Sequence, residues 1–355
     1  MTLYSQFVEL WAKWGSLAKR WMGATSWYRI MVACGVASML VAIIAGTGKA
    51  AEISFTALPF EAISERVLWD FGAASDDDGV GPQAGLIADK SGNLYGTTRI
   101  GGANGDGTVF ELSPPAGRST QWSESVLYSF GAASDDGAQP GGGLIADKRG
   151  NFYSTTSNGG ANADGTVFEL SPPTGESTQW SESILYSFGA TDDDGTNPLA
   201  GLLADQAGNL YSTTFMGGAN SDGTVFELRP PTGKSTQWSE SVLLSFSGDD
   251  GAYPVASLIA DTLGNLYSTT LLGGANFAGA VFELSPPPGK SNQWSESVLH
   301  SFSSPGSGDG FFPLSDLIVD QWGNLYGTTS YGGLTTAQGG NGAGTVFELS
   351  PRLAF

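Results

Sequence analysis

The chain of 355 residues has one cysteine, Cys34, and one histidine, His300, so disulfides, cysteine-ligated zinc and most histidine-based catalytic arrangements are excluded from nearly all of it. Basic residues are scarce as well. Fifteen Lys and Arg against thirty-five Asp and Glu leave a formal charge of -20. That excludes the nucleic-acid phosphate backbone and anionic lipid surfaces as natural partners, because like charges repel. Cations, neutral glycans and basic proteins remain. Only one long apolar run is present, Ile30 to Gly46, preceded by Lys13, Lys19, Arg20 and Arg29 and followed by the small residues of Thr47-Gly48-Lys49-Ala50-Ala51.

Basic flank, apolar run and small residues together read as an export signal, or as a signal anchor if uncleaved. Residues 1–29 would then be a cytoplasmic n-region or an amphipathic helix, with Phe7, Leu10, Trp11, Trp14, Leu17 and Trp21 at helical spacing. Translation starting at Met22 would give a more ordinary signal peptide. Residues 30–46 are the apolar helix or transmembrane anchor, 47–59 a linker, and both readings put the rest of the chain outside the cytoplasm. The membrane is expected to be touched only through this N-terminal segment. The chain ends Ser350-Pro351-Arg352-Leu353-Ala354-Phe355 without a sorting anchor, so any attachment is expected to be N-terminal.

What is abundant is repetition. Gly92-Asn93-Leu94-Tyr95-Gly96-Thr97-Thr98 recurs with small changes at Gly150, Gly208, Gly264 and Gly323, spaced by 58, 58, 56 and 59 residues. A fixed period of that length marks a repeat architecture. Each unit carries four strand-like runs between Gly, Pro, Asp and Asn clusters, in the first unit Glu65 to Phe71, Gly85 to Asp89, Asn93 to Thr98 and Thr108 to Leu112. The prediction is an all-β protein, a five-bladed β-propeller of four-stranded blades over residues 60–355. The last unit stops at Val346-Phe347-Glu348-Leu349 without its own Trp-Ser-Glu-Ser strand, and Ser64-Glu65-Arg66-Val67-Leu68 has no preceding unit. The N-terminal strand is therefore expected to close the ring, which removes two sheet edges and favours a monomer. The short, small-residue strand of each blade should be innermost and the Gln121 to Phe130 type outermost.

The pattern Pro82-x-x-Gly85-Leu86-Ile87-x-Asp89-x-x-Gly92-Asn93-Leu94-Tyr95-Gly96-Thr97-Thr98, followed by Gly101-Gly102 and Gly107-Thr108-Val109-Phe110-Glu111-Leu112, resembles the Gloeo/Verruco tandem-repeat family of exported bacterial proteins. The resemblance covers residues 60–355 and implies export and a propeller-like repeat, with no established activity. The Asp-x-x-Gly-Asn-Leu-Tyr portion is also similar to propellers of the NHL and lactonase-like groups.

Antiparallel strands put the first and third loops of every unit at one end of the sheets. Those loops carry most of the acid, including Asp76, Asp78, Asp135, Asp136, Asp192, Asp194, Asp249 and Asp250, with Arg99 as their one base. Hard cations want several carboxylate and carbonyl oxygens around a turn, so calcium is the cofactor these clusters would hold. Asp-Gly clusters also form ordinary solvated turns, and no alternating Asp-x-Asp-x-Asp-Gly loop is present. Asp89 and its equivalents read as Asx turns. Trp122, Trp180, Trp238 and Trp294 read as blade packing or as sugar-stacking faces. Glu111, Glu169, Glu227, Glu283 and Glu348 could form paired acids for glycoside hydrolysis or a structural hydrogen bond to a neighbouring blade.

Five near-identical units supply five equivalent sites, whereas catalysis needs one asymmetric one. No residue is therefore assigned a catalytic role. Symmetry breaks in the last unit, where Asp309, Phe311, Phe312 and Tyr331 are the candidate ligand-binding residues and His300 replaces the Tyr seen at Tyr128 and Tyr186. The pair before each Gly-Gly, from Arg99-Ile100 to Ser330-Tyr331, also varies and is a candidate contact surface. The expected function is an exported, non-catalytic scaffold with a multivalent acidic face for a glycan, protein or cation. The alternatives are a carbohydrate-active or lactonase-like hydrolase at the channel mouth, and a structural envelope protein.

Overall fold

The computed structural model describes residues 65–72, 77–117, 119–289, 293–303, 308–333 and 342–350. The strands described here all belong to one compact unit, Val67–Phe355. Among the described residues the architecture is all-β and every named strand pairing is antiparallel. The expected N-terminal apolar helix and signal, residues 1–46, lie outside the described residues. No described helix is long and apolar enough to cross a membrane.

In the first unit the sheet order is Ile87–Ala88, Leu94–Thr98, Thr108–Ser113, Ser123–Ser129, so strands follow one another in sequence as in a meander. The second, third and fourth units repeat it with Phe152–Gly159, Leu210–Thr214 and Leu266–Leu272 as the second strand. This is the order expected from the sequence, consistent with propeller blades. The edge strand is shorter than expected and comes in two pieces. In the second unit Gly137–Pro140 pairs with one end of Phe152–Gly159 and Ile145–Ala146 with the other.

Strand alternation sends neighbouring side chains to opposite faces, and the core uses both faces. Val109, Phe130 and Tyr95 of the first unit pack with Leu144, Phe152, Phe168 and Leu170 of the second. Val167 and Phe188 meet Leu202, Leu210, Phe226 and Leu228 in the same way. Each seam is joined by an edge-to-face Phe pair, Phe130 on Phe168 at 5.1 Å, Phe188 on Phe226 at 5.0 Å and Phe246 on Phe282 at 5.2 Å. The favoured T-shaped geometry adds to the area buried.

Two ends of this arrangement differ from the expectation. Glu65–Asp70 are in no strand, and among the described residues Thr345–Leu349 pairs only with Leu325–Gly332. Phe71 nonetheless sits on Phe110 at 4.9 Å, the place that Phe130 takes on Phe168.

Candidate functional site

Every unit opens with Gly-x-X-Pro, and the residue X before proline is held at positive φ. Gln139 is at 59°, Asn197 at 61°, Tyr253 at 57° and Phe312 at 58°, while the first unit uses Gly81 at 71°. A residue before proline prefers extended backbone, and a bulky side chain in the left-handed region costs about 1 to 3 kcal/mol. Two things hold X there. Its N–H donates to a carbonyl in the third loop of the preceding unit, Gln139 to Asp106 at 2.7 Å, Asn197 to Asp164 and Tyr253 to Asp222 at 2.8 Å, and Phe312 to Ala278 at 2.9 Å. The glycine two places earlier is pinned as well: a Cβ on Gly137 would come within 2.7 Å of the Thr156 side chain.

In the first three units the residue after the Thr-Thr pair borders X of its own unit or of the next. The Arg99 guanidinium reaches Gln139 Oε1 at 3.4 Å across the seam, and the Ser157 hydroxyl donates to the Gln139 carbonyl at 3.1 Å. Phe215 N donates to the Asn197 carbonyl at 3.1 Å and its ring lies 5.1 Å from that of Tyr253. In the last unit Phe311 stacks on Tyr331 at 5.5 Å and Phe312 meets the same ring edge-on at 6.0 Å. The result is a series of contacts, polar at Arg99, Gln139, Ser157 and Asn197, and aromatic at Phe215, Tyr253, Phe312 and Tyr331. We call it the rim.

Of the residues expected to bind ligand, Phe311, Phe312 and Tyr331 come together, and the Asp309 carboxylate bonds to His300 and to its own loop. Asp309 Oδ2 accepts from Ser303 N at 3.1 Å and lies 3.2 Å from His300 Nε2. The pair fills the position of Tyr128 OH on Asp136 at 3.1 Å and Tyr186 OH on Asp194 at 3.0 Å.

The Asp clusters divide into two kinds. Asp135, Asp192 and Asp249 are exposed, whereas Asp78, Asp136 and Asp194 are buried at 3%, 6% and 5% exposure. These last fold their own loops, through Gly72 N to Asp78 Oδ2 at 2.7 Å, Ala132 N to Asp136 Oδ2 and Ala190 N to Asp194 Oδ2, both at 3.0 Å. Asp250 is intermediate in exposure and accepts from Ser247 N through Oδ1 at 2.8 Å. Asp76 lies outside the described residues. No group of three or more His, Cys, Asp or Glu side chains suited to a metal is gathered among the described residues.

Sequence reasoning missed a second carboxylate facing these buried aspartates. Glu124, Glu182, Glu240 and Glu296, each in the outer strand of the sheet that the aspartate's loop leads into, are pushed up to about 7, 8, 7 and 7. Burial is the main cause, and the charge of Asp78, of Asp136 with Asp135, of Asp194 and of Asp250 is the second. Burial, with the Glu182 and Asp136 charges, likewise raises the Tyr128 phenol.

The remaining candidates are structural. Asp89 Oδ1 accepts from Ser91 N at 2.8 Å and Asn93 N at 2.9 Å, and the Asx turn repeats at Asp147, Asp205, Asp261 and Asp320. The mid-strand glutamates bond within their own sheet, not to a neighbouring blade as expected: Glu227 accepts from Tyr211 OH at 3.0 Å and Arg229 at 2.7 Å, and Glu111 from Ser113 OH at 3.0 Å. Trp180 stacks on Phe152 at 5.2 Å and belongs to the core.

Successive antiparallel sheets of one sequence pattern, packed face to face through matching Phe seams, define an all-β tandem-repeat protein. The model of the Gloeobacter/Verrucomicrobia repeat matches residues 60–192 and 176–354, and the chain belongs to that family. No curated protein matches it. Among solved structures it is similar to an α-L-arabinofuranosidase from Lactobacillus brevis, 12% identical with a TM-score of 0.40 over 74% of this chain and 88% of that one. It is also similar to a protein described as an oxidoreductase (glucose dehydrogenase) from Thermus thermophilus, 16% identical with a TM-score of 0.27 over 71% of this chain and 91% of that one. Likenesses at this level transfer no chemistry.

Proposed function

We propose that the chain is an exported, non-catalytic binding scaffold whose rim, set among acidic loops, takes a neutral glycan. One observation carries this reading. Glycine would meet the positive φ before each proline without strain, yet four of the five units place Gln139, Asn197, Tyr253 or Phe312 there. Strained backbone of this kind concentrates where a side chain must be presented. Aromatic faces beside amide and hydroxyl groups suit pyranose rings, and the surrounding carboxylates disfavour anions. Several weak, similar contacts on one rigid body gain avidity together.

The same reading takes the fold to be a five-bladed propeller whose ring is closed by the N-terminal strand. Two open surfaces support it. Leu86 is 51% exposed although its equivalents Leu144, Leu202, Leu258 and Leu317 are buried, and Val346 is 79% exposed although Val109, Val167, Val225 and Val281 are buried. They are the two halves of one more seam. Closure would bury both and leave a monomer.

The test is a glycan array probed with the purified chain and with the Tyr253→Gly and Phe312→Gly variants. Saturable binding that both variants weaken supports the reading. A blank array would direct attention to a protein partner, and binding untouched by both variants would remove the rim from it. A hydrolase is favoured only by the His300 and Asp309 pair, and glycoside or lactone turnover lost in His300→Ala would support it.

A further inference from the structure

At three successive sheets a buried aspartate in the loop leading into the sheet faces a glutamate in that sheet's outer strand. The members are Asp78 with Glu124, Asp136 with Glu182, and Asp194 with Glu240, each aspartate being among the charges that raise its glutamate. The loop N–H and, in two seams, the tyrosine hydroxyl satisfy Oδ2 of the aspartate. The other oxygen is left over. Oδ1 of Asp78, Asp136 and Asp194 and Oε1 of Glu124, Glu182 and Glu240 are all shut off from water and have no hydrogen-bond partner. The aspartates that own these atoms are at least nine-tenths buried.

A covered carboxylate oxygen without a donor is costly, and two of like charge in one seam cost more. Native proteins leave such atoms where something else supplies the positive end. The ion pairs of Arg229 with Glu227 and of His300 with Asp309 lie outside these three seams.

We propose that each of these three seams binds one calcium ion, held by the Asp Oδ1 and Glu Oε1 atoms that join each sheet to the loop leading into it, with backbone carbonyls completing the shell. The donors are all oxygen, which selects a hard cation. Calcium tolerates the irregular shell that two units can offer, whereas magnesium demands a near-ideal octahedron. The fourth seam is not counted. Asp250 has used its Oδ1 on Ser247 N, and it is less buried than the others. The ion would tie each sheet to the loop that leads into it, so the role is mechanical and separate from the rim.

The purified full chain is stripped with chelator and titrated with calcium alone by calorimetry at pH 7.5, and its thermal unfolding is followed with and without the ion. About three equivalents and a raised Tm are expected. Glu182→Gln should bind about two and lose roughly a third of the calcium-dependent rise, while in chelator it should be at least as stable as the parent, because the amide removes a like-charge contact. Asp135→Asn, altering an exposed acid beside the same loop, should keep all three. No saturable calcium binding overturns the proposal, as does a stoichiometry that survives Glu182→Gln. Stability that is indifferent to calcium and rises from pH 8 to pH 6 would assign the seams to a shared proton instead, and would overturn it equally.

Discussion

The middle seams and the fifth unit are built from the same residues and end differently. Val225 and Val281 are fully covered by the unit that follows them, whereas Val346, at the same position in the last strand, is 79% exposed. The difference teaches that one sheet is only half of a core. Its two faces are finished by its neighbours, so stability resides in seams and not in units.

The largest effect expected from this comparison is in a complete seam. Phe226→Ala removes a fully buried ring that Phe188 meets edge-on at 5.0 Å, and should cost about 3 to 5 kcal/mol in chemical denaturation. The sharper test places a charge on each valine. Val225→Asp should unfold the chain or nearly so, and Val346→Asp should do the same if the ring is closed. A change within about 0.5 kcal/mol at Val346 would mean that the last face stays open in solution.

Smaller effects separate the seams from the rim. Gln139→Gly and Asn197→Gly exchange strain for chain entropy, so stability should move by less than about 1 kcal/mol in either direction while glycan affinity falls. A stability loss well beyond that would make these residues structural. The least drastic perturbation is pH in the presence of chelator. The glutamates at 124, 182, 240 and 296 titrate near 4.5 when unfolded and at about 7 to 8 when folded, so between those values the folded state holds more protons. Stability from this source is full below about pH 4.5 and is lost as pH rises to about 8. Asp261, lowered by bonds from Asn265, Leu263 and Tyr267 that outweigh its desolvation, acts oppositely and loses its contribution as pH falls through its folded value. Melting temperatures in chelator should therefore be lower at pH 8 than at pH 6.

Much of this was legible because the repeat is written in backbone chemistry. Asp89-x-x-Gly92-Asn93 announces a turn whichever sheet it serves, and the same turn forms in each unit. Strand order followed from length and polarity, and the order observed is the one expected. What stayed hidden depends on neighbours. Asp135-Asp136-Gly137 reads as a solvated turn, and nothing local reveals that one acid is exposed while the next is buried under another unit. Glu182 likewise reads as the polar member of an alternating outer strand. The rim has a signal in the sequence: Gly-x-X-Pro recurs in every unit, and X is a different residue in each. Asp309 is close to the aromatics in sequence, but its carboxylate lies with His300 and the Ser303 N–H.

The Phe seams also bear on how such a chain can grow. Each joins the residue that follows one outer strand to the middle of the next sheet, Phe130 to Phe168 and then Phe188 to Phe226, so the contact is the same wherever it occurs. A duplication or deletion of one 58-residue period, cut at any point, leaves every remaining joint chemically matched. Unit number is thus free to change in a single genetic event without a new interface having to be invented, and only the number of seams changes.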